Sequence, residues 1–582
     1  MPAYQLRLAR PQELTDKERL ELERKLGEEI DECQEIKSPY RNKVKQFLLE
    51  QGIWSLKTVD YDVRVCYGEY LRKNLAPGSK YQYMQGLDII KLHSLEKEAQ
   101  TLAGRHHAME YQNKPLFLLY HPNVEIARLF LKVMNKEELL WDFEIAASAT
   151  LKKQVFMILH NIIQTEMRSE ARKEKLNALK RLYQYCIGRG VTDLEYLETA
   201  DTKDFLDTIE KEREQNQHII NASRKFLFLE AEDILWDAPI WYLERFHFES
   251  ARVNPAGMVQ RISFLEVTQK RNRELLQQYM RYCLGVTNLT IGNIRSEFNM
   301  VRRFLAKLQE QMAQAVCYAT ADDMKWYFHT LSLADNKPET FNKCIISILH
   351  FFDYLKVKGY IERIPFQEQY YLKKTVSKHH DRSVDYQVYV EVMQKLDAFP
   401  EELRLMFLHL WAVGLRASEV CTLKGDAYYV QGRDAWIQVY QIKMKTYKRI
   451  PIPAALYRLM KVYLKKHQIA PEDYIFKNKK GGACSYGTFK YRMLKACREQ
   501  NIGNGEYLFQ SHDYRHTLAT FYYNNGVSIQ GVRDYLGHAY EEMTEQYIDF
   551  MPKRIKKANA EYLSKPENSL AAGISKRSRY GK

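Results

Sequence analysis

Along residues 1–375, apolar positions recur at intervals of three and four, as in LKRLYQYCIG (179–188) and VRRFLAKLQEQM (301–312). That spacing places one stripe of side chains on one helical face, so this part of the chain reads as almost entirely helical. It also repeats itself weakly. VKQFLLEQGIWSLKTVDYDVRVCYGEYL (44–71), LKRLYQYCIGRGVTDLEYLETADTKDFLDTI (179–209) and VRRFLAKLQEQMAQAVCYATADDMKWYFHTL (301–331) each join two amphipathic helices through a short interruption. Each interruption carries a T-x-D signal (Thr58/Asp60, Thr199/Asp201, Thr320/Asp322), and Thr or Asp ahead of a helical run predicts an N-cap. A further helix follows each copy.

The pattern breaks at PFQEQYYLKKTVSKHHDRSVDY (365–386), a polar, basic stretch that reads as a linker. Beyond it, PEELRLMFLHLWAVGLRASEVCTLK (400–424) predicts helix, glycine turn, helix. DAWIQVYQIKMKTYKRIPIP (434–453) alternates at period two, twice, and predicts a β-hairpin. Helices resume at Ala454. The expected fold class is mainly α with a small β-sheet or hairpin in the C-terminal domain. The expected segments are 1–165 (with a repeat-like module at about 40–100), 166–290, 291–375, a linker at 376–386, 387–565 and a basic tail at 566–582.

Composition narrows the class. At 582 residues the chain exceeds a single core, and its net charge of +15, spread along the whole length among many aromatics, favours a polyanion touched at many points. A basic surface without such a partner is the plainer alternative. No apolar run reaches the ~18 residues that span a bilayer. The N-terminal stretch becomes charged too soon for a secretory signal. The nine cysteines are scattered without a CxxC pair, which reads as reduced thiols in a cytoplasmic protein rather than disulfides or a zinc site. HEXXH and Walker-type patterns are absent, so no cofactor or metal is expected. The adjacent pairs His106-His107 and His379-His380 diverge on a helix and read as surface residues.

The chemistry concentrates in SHDYRHTLATFYYNNGVSIQGVRDYLGHAYEEMTEQYIDF (511–550). An amphipathic helix ends at Asn525-Gly526, Ser528 caps IQGVRDYL, Gly537 closes it, and TEQYIDF starts another helix. His512 and Arg515 share a face at i, i+3. The Gly537 turn can return His538 to that face, and Tyr547, nine residues on, can fold its ring toward the same point. A phenol with a pKa near ~10 is about 0.1% ionised at neutral pH and needs a base, which a nearby histidine supplies. Guanidinium forks bind phosphate oxygens and stabilise charge developing on them. A second arginine is expected, and Arg416 in GLRASE is the candidate. A leaving alkoxide needs an acid, for which the hairpin offers Lys443, Lys445 and Lys448. The other five tyrosines of the stretch read as packing or surface groups.

GLRASEV (414–420), HDYRHTLATFYYNNGVSIQGVRDYLGH (512–538) and Tyr547 resemble the catalytic domain of the tyrosine recombinase (phage integrase) family, over residues 383 to about 565. The resemblance implies that Arg416 and Arg515 clamp a scissile phosphate and that His512 moves a proton. His538 would hydrogen-bond the phosphate, and Tyr547 would attack to give a 3′-phosphotyrosine. Lys445 fits the leaving-group acid best by its distance to Ile452-Pro453, with Lys443 the alternative, and Glu419 is the supporting acid. It further implies that 291–375 is a core-binding helical DNA-binding domain, and that the partners are double-stranded DNA, a homotetramer on it, and an accessory or co-encoded recombinase. The length ahead of that domain resembles recombinases of transposons and integrative elements. Where many members have two threonines before the tyrosine helix, this chain has Met543-Thr544. The rival readings are a type IB topoisomerase, an inactive DNA-binding regulator and a basic helical scaffold.

Overall fold

The computed structural model describes residues 15–101, 110–209, 212–375, 382–538, 544 and 559–565. The chain divides into two compact units, Met1–Arg245 and Phe246–Lys582. The division falls inside the 166–290 segment of the sequence reading.

In the first unit the helices Asp16–Asp31, Ser38–Glu50, Tyr61–Asn74 and Lys80–Gln100 enclose a core of Leu26, Ile30, Val44, Phe47, Leu48, Tyr67, Leu71, Leu87 and Ile90. A second core gathers around Trp141, Phe143, Leu159, Leu179 and Tyr183. Buried Asp88 accepts from Arg64 at 2.7 and 3.1 Å, from Lys136 at 2.7 Å and from the Tyr120 hydroxyl at 2.9 Å. A carboxylate taken out of water is tolerable only with its lone pairs met in this way.

The three T-x-D stretches do start helices. Asp60 caps Tyr61–Asn74 by accepting from the Val63 amide at 3.0 Å, and Thr320 caps Ala321–Leu333 in a reciprocal box with Asp323. At Thr199–Asp207 the cap is Glu198, one residue earlier than the sequence signal, with Asp201 reaching back to its amide at 2.8 Å. In all three stretches the helix before the cap packs on the helix after the pair: Ser38–Glu50 on Lys80–Gln100, Ser169–Arg189 on Arg213–Glu230, and Ile291–Gln311 on Pro338–Val357.

The second unit holds two helical assemblies. Lys270–Gly285, Ile291–Gln311, Ala321–Leu333 and Pro338–Val357 bury Phe298, Phe304, Leu305, Phe351 and Phe352. Residues from Val392 to Tyr514 then build a separate core around Met406, Leu410, Val420, Ile437, Phe476 and Phe489. A three-stranded antiparallel sheet lies in it, in the order Tyr428–Gln431, Asp434–Gln441, Thr446–Pro451. The expected hairpin is its second and third strands. The first strand was not anticipated. Burial alternates along the second strand, so Ile437, Val439 and Gln441 face inward together. Among the described residues no helix is long and apolar enough to cross a membrane.

Candidate active site

Two glycine turns and one hairpin assemble the site. The helix Glu401–Val413 ends at Gly414, whose φ of +65° is the left-handed conformation that favours glycine. There is also no room for a side chain: a Cβ on Gly414 would lie 2.8 Å from a Leu518 methyl. The chain therefore turns sharply, and the next helix, Ala417–Cys421, starts with Arg416 at its N-cap. Glu419 accepts from the Arg416 amide at 2.9 Å and from its guanidinium at 2.7 Å. That pair fixes Arg416 at the mouth of the turn.

Arg515, on the helix Ser511–Asn524, is fully buried. It donates to the Gly414 carbonyl at 2.7 Å and to the Leu536 carbonyl at 2.6 Å, and so ties the first glycine turn to the second. The second turn is Gly537 (φ +69°), which ends Ile529–Leu536 after Ser528 has capped it at 3.1 Å. His538 follows, buried, with Nδ1 2.9 Å from the hydroxyl of buried Thr544. Gln441 closes the back of this turn, donating to Glu419 and to the Gly537 carbonyl, each at 3.3 Å. Its amide occupies the place a Gly537 Cβ would need, 2.3 Å away.

The electrostatics follow from this clustering. Burial, then the charges of Arg515, Arg416 and Lys448, push His538 down to about 3. Burial, then His516, Arg515, Arg382 and Arg416, push His512 down to about 3. Both imidazoles are neutral at physiological pH. Burial raises the Glu419 carboxyl, but Lys448, Arg515 and Arg416 outweigh it and hold the pKa below the usual value.

Of the residues expected from the sequence, Arg416, Glu419, His512, Arg515 and His538 therefore meet at one place. Lys445 and Lys443 are placed at the tip of the hairpin. Both are exposed on the turn between the second and third strands, Lys445 with a φ of +53°. On the same hairpin Lys448 is buried on the third strand, 3.4 Å from the Leu536 carbonyl. Strand alternation carried that signal, since Lys448, Ile450 and Ile452 fall on one face while Tyr447 and Arg449 fall on the other. Gln441 and His516 were missed as well. His516 lies one helical turn from His512, with the rings 5.2 Å apart. Of the six tyrosines, Tyr514 packs against Phe407 and Tyr535 against Tyr522. Tyr547, the two histidine pairs and the basic tail at 575–582 lie outside the described residues.

Residues 382–554, which hold this whole cluster, match the model of the phage integrase family. This part of the chain is similar to the phage integrases. Its relatives include transposase B from transposon Tn554 of Staphylococcus aureus, 27% identical over 338 residues, covering 55% of this chain and 52% of the transposase. The tyrosine recombinase XerA of Thermococcus onnurineus is 26% identical over 290 residues, covering 49% of this chain and 94% of XerA. The chain thus spans about half the length of the transposases it matches. Among solved structures, the pre-cleavage complex of the XerH site-specific recombinase with its difH substrate is 16% identical, covering 50% of this chain and 86% of that one, with a TM-score of 0.38.

Proposed function

We infer that this chain is a site-specific DNA recombinase that cuts and rejoins duplex DNA to move a mobile element. The observation that carries the reading is the convergence of Arg416, Arg515, His512 and His538 inside the segment similar to the phage integrases. In this reading Arg416 and Arg515 grip the non-bridging oxygens of one phosphodiester. With the Thr544 hydroxyl donating to Nδ1, His538 carries its proton on Nε2 and offers an N–H to the phosphate. His512, neutral beside these charges, accepts the phenolic proton of Tyr547. The Tyr547 oxygen attacks phosphorus, the P–O5′ bond breaks, and Lys445, on the exposed hairpin turn, protonates the leaving 5′ oxygen. The product is a 3′-phosphotyrosine and a free 5′-hydroxyl. A 5′-hydroxyl from a second duplex reverses the step, and the ester energy held in the phosphotyrosine makes ATP unnecessary.

Two duplexes present four strands and each strand needs one tyrosine, so the working assembly is a tetramer on DNA, in the cytoplasm beside the chromosome. Residues 291–375 serve as the core-binding domain. The helical modules at 1–165 and 166–290 extend the footprint or bind an accessory recombinase. Relatives named for transposition and for tyrosine recombination support this reading over simple relaxation of supercoils. The test uses a nicked duplex whose short 5′-hydroxyl fragment diffuses away after cleavage, trapping the adduct. Wild-type protein accumulates a covalent complex and Tyr547→Phe binds without forming one; an adduct that survives Y547F overturns the assignment.

A further inference from the structure

Lys448 has no part in the chemistry just described, yet it is buried where a lysine is costly. Its ammonium lies behind the phosphate clamp beside the Leu536 carbonyl, the same carbonyl that receives Arg515. The charged and titratable groups facing it are Glu419 and Arg416 from the Gly414 turn, Arg515 from the Ser511–Asn524 helix and His538 from the Gly537 turn. Gln441 bridges Glu419 and the Gly537 carbonyl alongside. Two guanidiniums and one carboxylate already leave a net positive charge at a largely buried place, with Arg515 and Glu419 buried and Arg416 partly so. Guanidiniums cannot shed a proton in a protein, and protonating Glu419 would only deepen the excess. Lys448 is the group in this set that can relieve it by changing charge.

We propose that Lys448 is a positioning residue of the strand-transfer centre that acts as its reserve of positive charge, taking up one proton from bulk water when a phosphodiester enters the clamp. The inference rests on the recombinase reading. With Lys448 neutral, a single phosphodiester cancels the clamp's net charge. The second negative charge that develops on the phosphorane in the transition state is met by a protonated Lys448 held at fixed distance behind the arginines. Burial foremost, then the Arg515 and Arg416 charges, outweigh Glu419 and push the amine down to about 7, which leaves it mostly neutral at pH 8 until an anion arrives. Because the same ammonium shares a carbonyl with Arg515, its protonation also tightens the turn that carries His538.

The experiment compares full-length Y547F, Y547F/K448M and Y547F/K448R binding a duplex centred on a cleavage junction mapped from covalent adducts. Calorimetry at pH 8 in buffers of different ionisation enthalpy reads the protons taken up. Y547F takes up close to one proton per site, and both double variants take up none. In the Tyr547 background, cleavage by wild type slows as pH rises above about 8, Lys448→Arg keeps a flat profile over that range, and Lys448→Met is about 100-fold slower, with DNA affinity at pH 8 weakened about tenfold by the lost proton linkage. A merely structural lysine would change rates without moving either the proton count or the pH profile. Uptake that persists in Y547F/K448M belongs to His538 or His512 and overturns the proposal. If K448R does not fold, the K448M proton count decides alone. Wild type that forms no Tyr547 adduct instead brings down the recombinase reading beneath it.

Discussion

At the scale of single residues, the site is built from groups held in unfavourable charge states. The depressed pKa of Lys448 has a sign that can be checked. An amine whose folded pKa lies below its unfolded value binds fewer protons folded than unfolded between about 7 and ~10.4, so its penalty is absent at high pH and complete once pH has fallen to about 7. K448M should therefore raise the melting temperature, and by more at pH 7 than at pH 10. Thermal scans at the two pH values read the difference, and equal gains would contradict it. The histidines work in the same direction lower down. His512 and His538 fall from about 6.5 to about 3 on folding, so stability is full above pH 6.5 and is lost as pH drops toward 3. Replacing both with asparagine should flatten the melting temperature between pH 6.5 and 4. An unchanged acid limb would show that these imidazoles are not buried beside the arginines.

At the scale of elements, two C-terminal helix turns do the positioning. Ala at Gly414 meets both a left-handed backbone and a Leu518 methyl 2.8 Å away, and it displaces the carbonyl that holds Arg515. G414A should lose roughly 1–3 kcal/mol of stability and at least tenfold in cleavage rate. Ala at Gly537 meets the tip of Gln441, a side chain that can swing aside. G537A should therefore cost less stability, about 1 kcal/mol, yet still slow cleavage by releasing the bonds from Gln441 to Glu419 and the Gly537 carbonyl. Denaturant melts and single-turnover cleavage separate the two effects. Both turns were legible in the sequence, because glycine at the end of a helical period has one common meaning. The helix starts after Asp60 and Thr320 were legible for the same kind of reason. The strand Tyr428–Gln431 was not, being too short for its alternation to register. The burial of one hairpin lysine was missed for a different reason. Distance along the chain pointed to Lys445, whereas which face of a strand a residue takes follows from alternation, and that put Lys448 inward.

At the scale of the whole molecule, the division after Arg245 falls between the helices Arg213–Glu230 and Lys270–Gly285, in a stretch that the sequence reading took as helical. It predicts two thermal transitions. Removing the Asp88 carboxylate leaves Arg64 and Lys136 buried without their acceptor, a loss of about 3–5 kcal/mol. Calorimetry of D88A should lower one transition by about 10 °C and leave the other in place, whereas G414A should lower only the second. A single transition moved by both variants would mean that the units melt as one.

The central claim is that the arginines and histidines gathered around Gly414 and Gly537 serve one tyrosine. The most direct measurement is mass spectrometry of the peptide left on DNA after trapping on the nicked duplex and proteolysis. The account predicts a single nucleotide-bearing peptide, modified at Tyr547 through a 3′ phosphate. A modification at any other residue, or linkage through a 5′ phosphate, would contradict it.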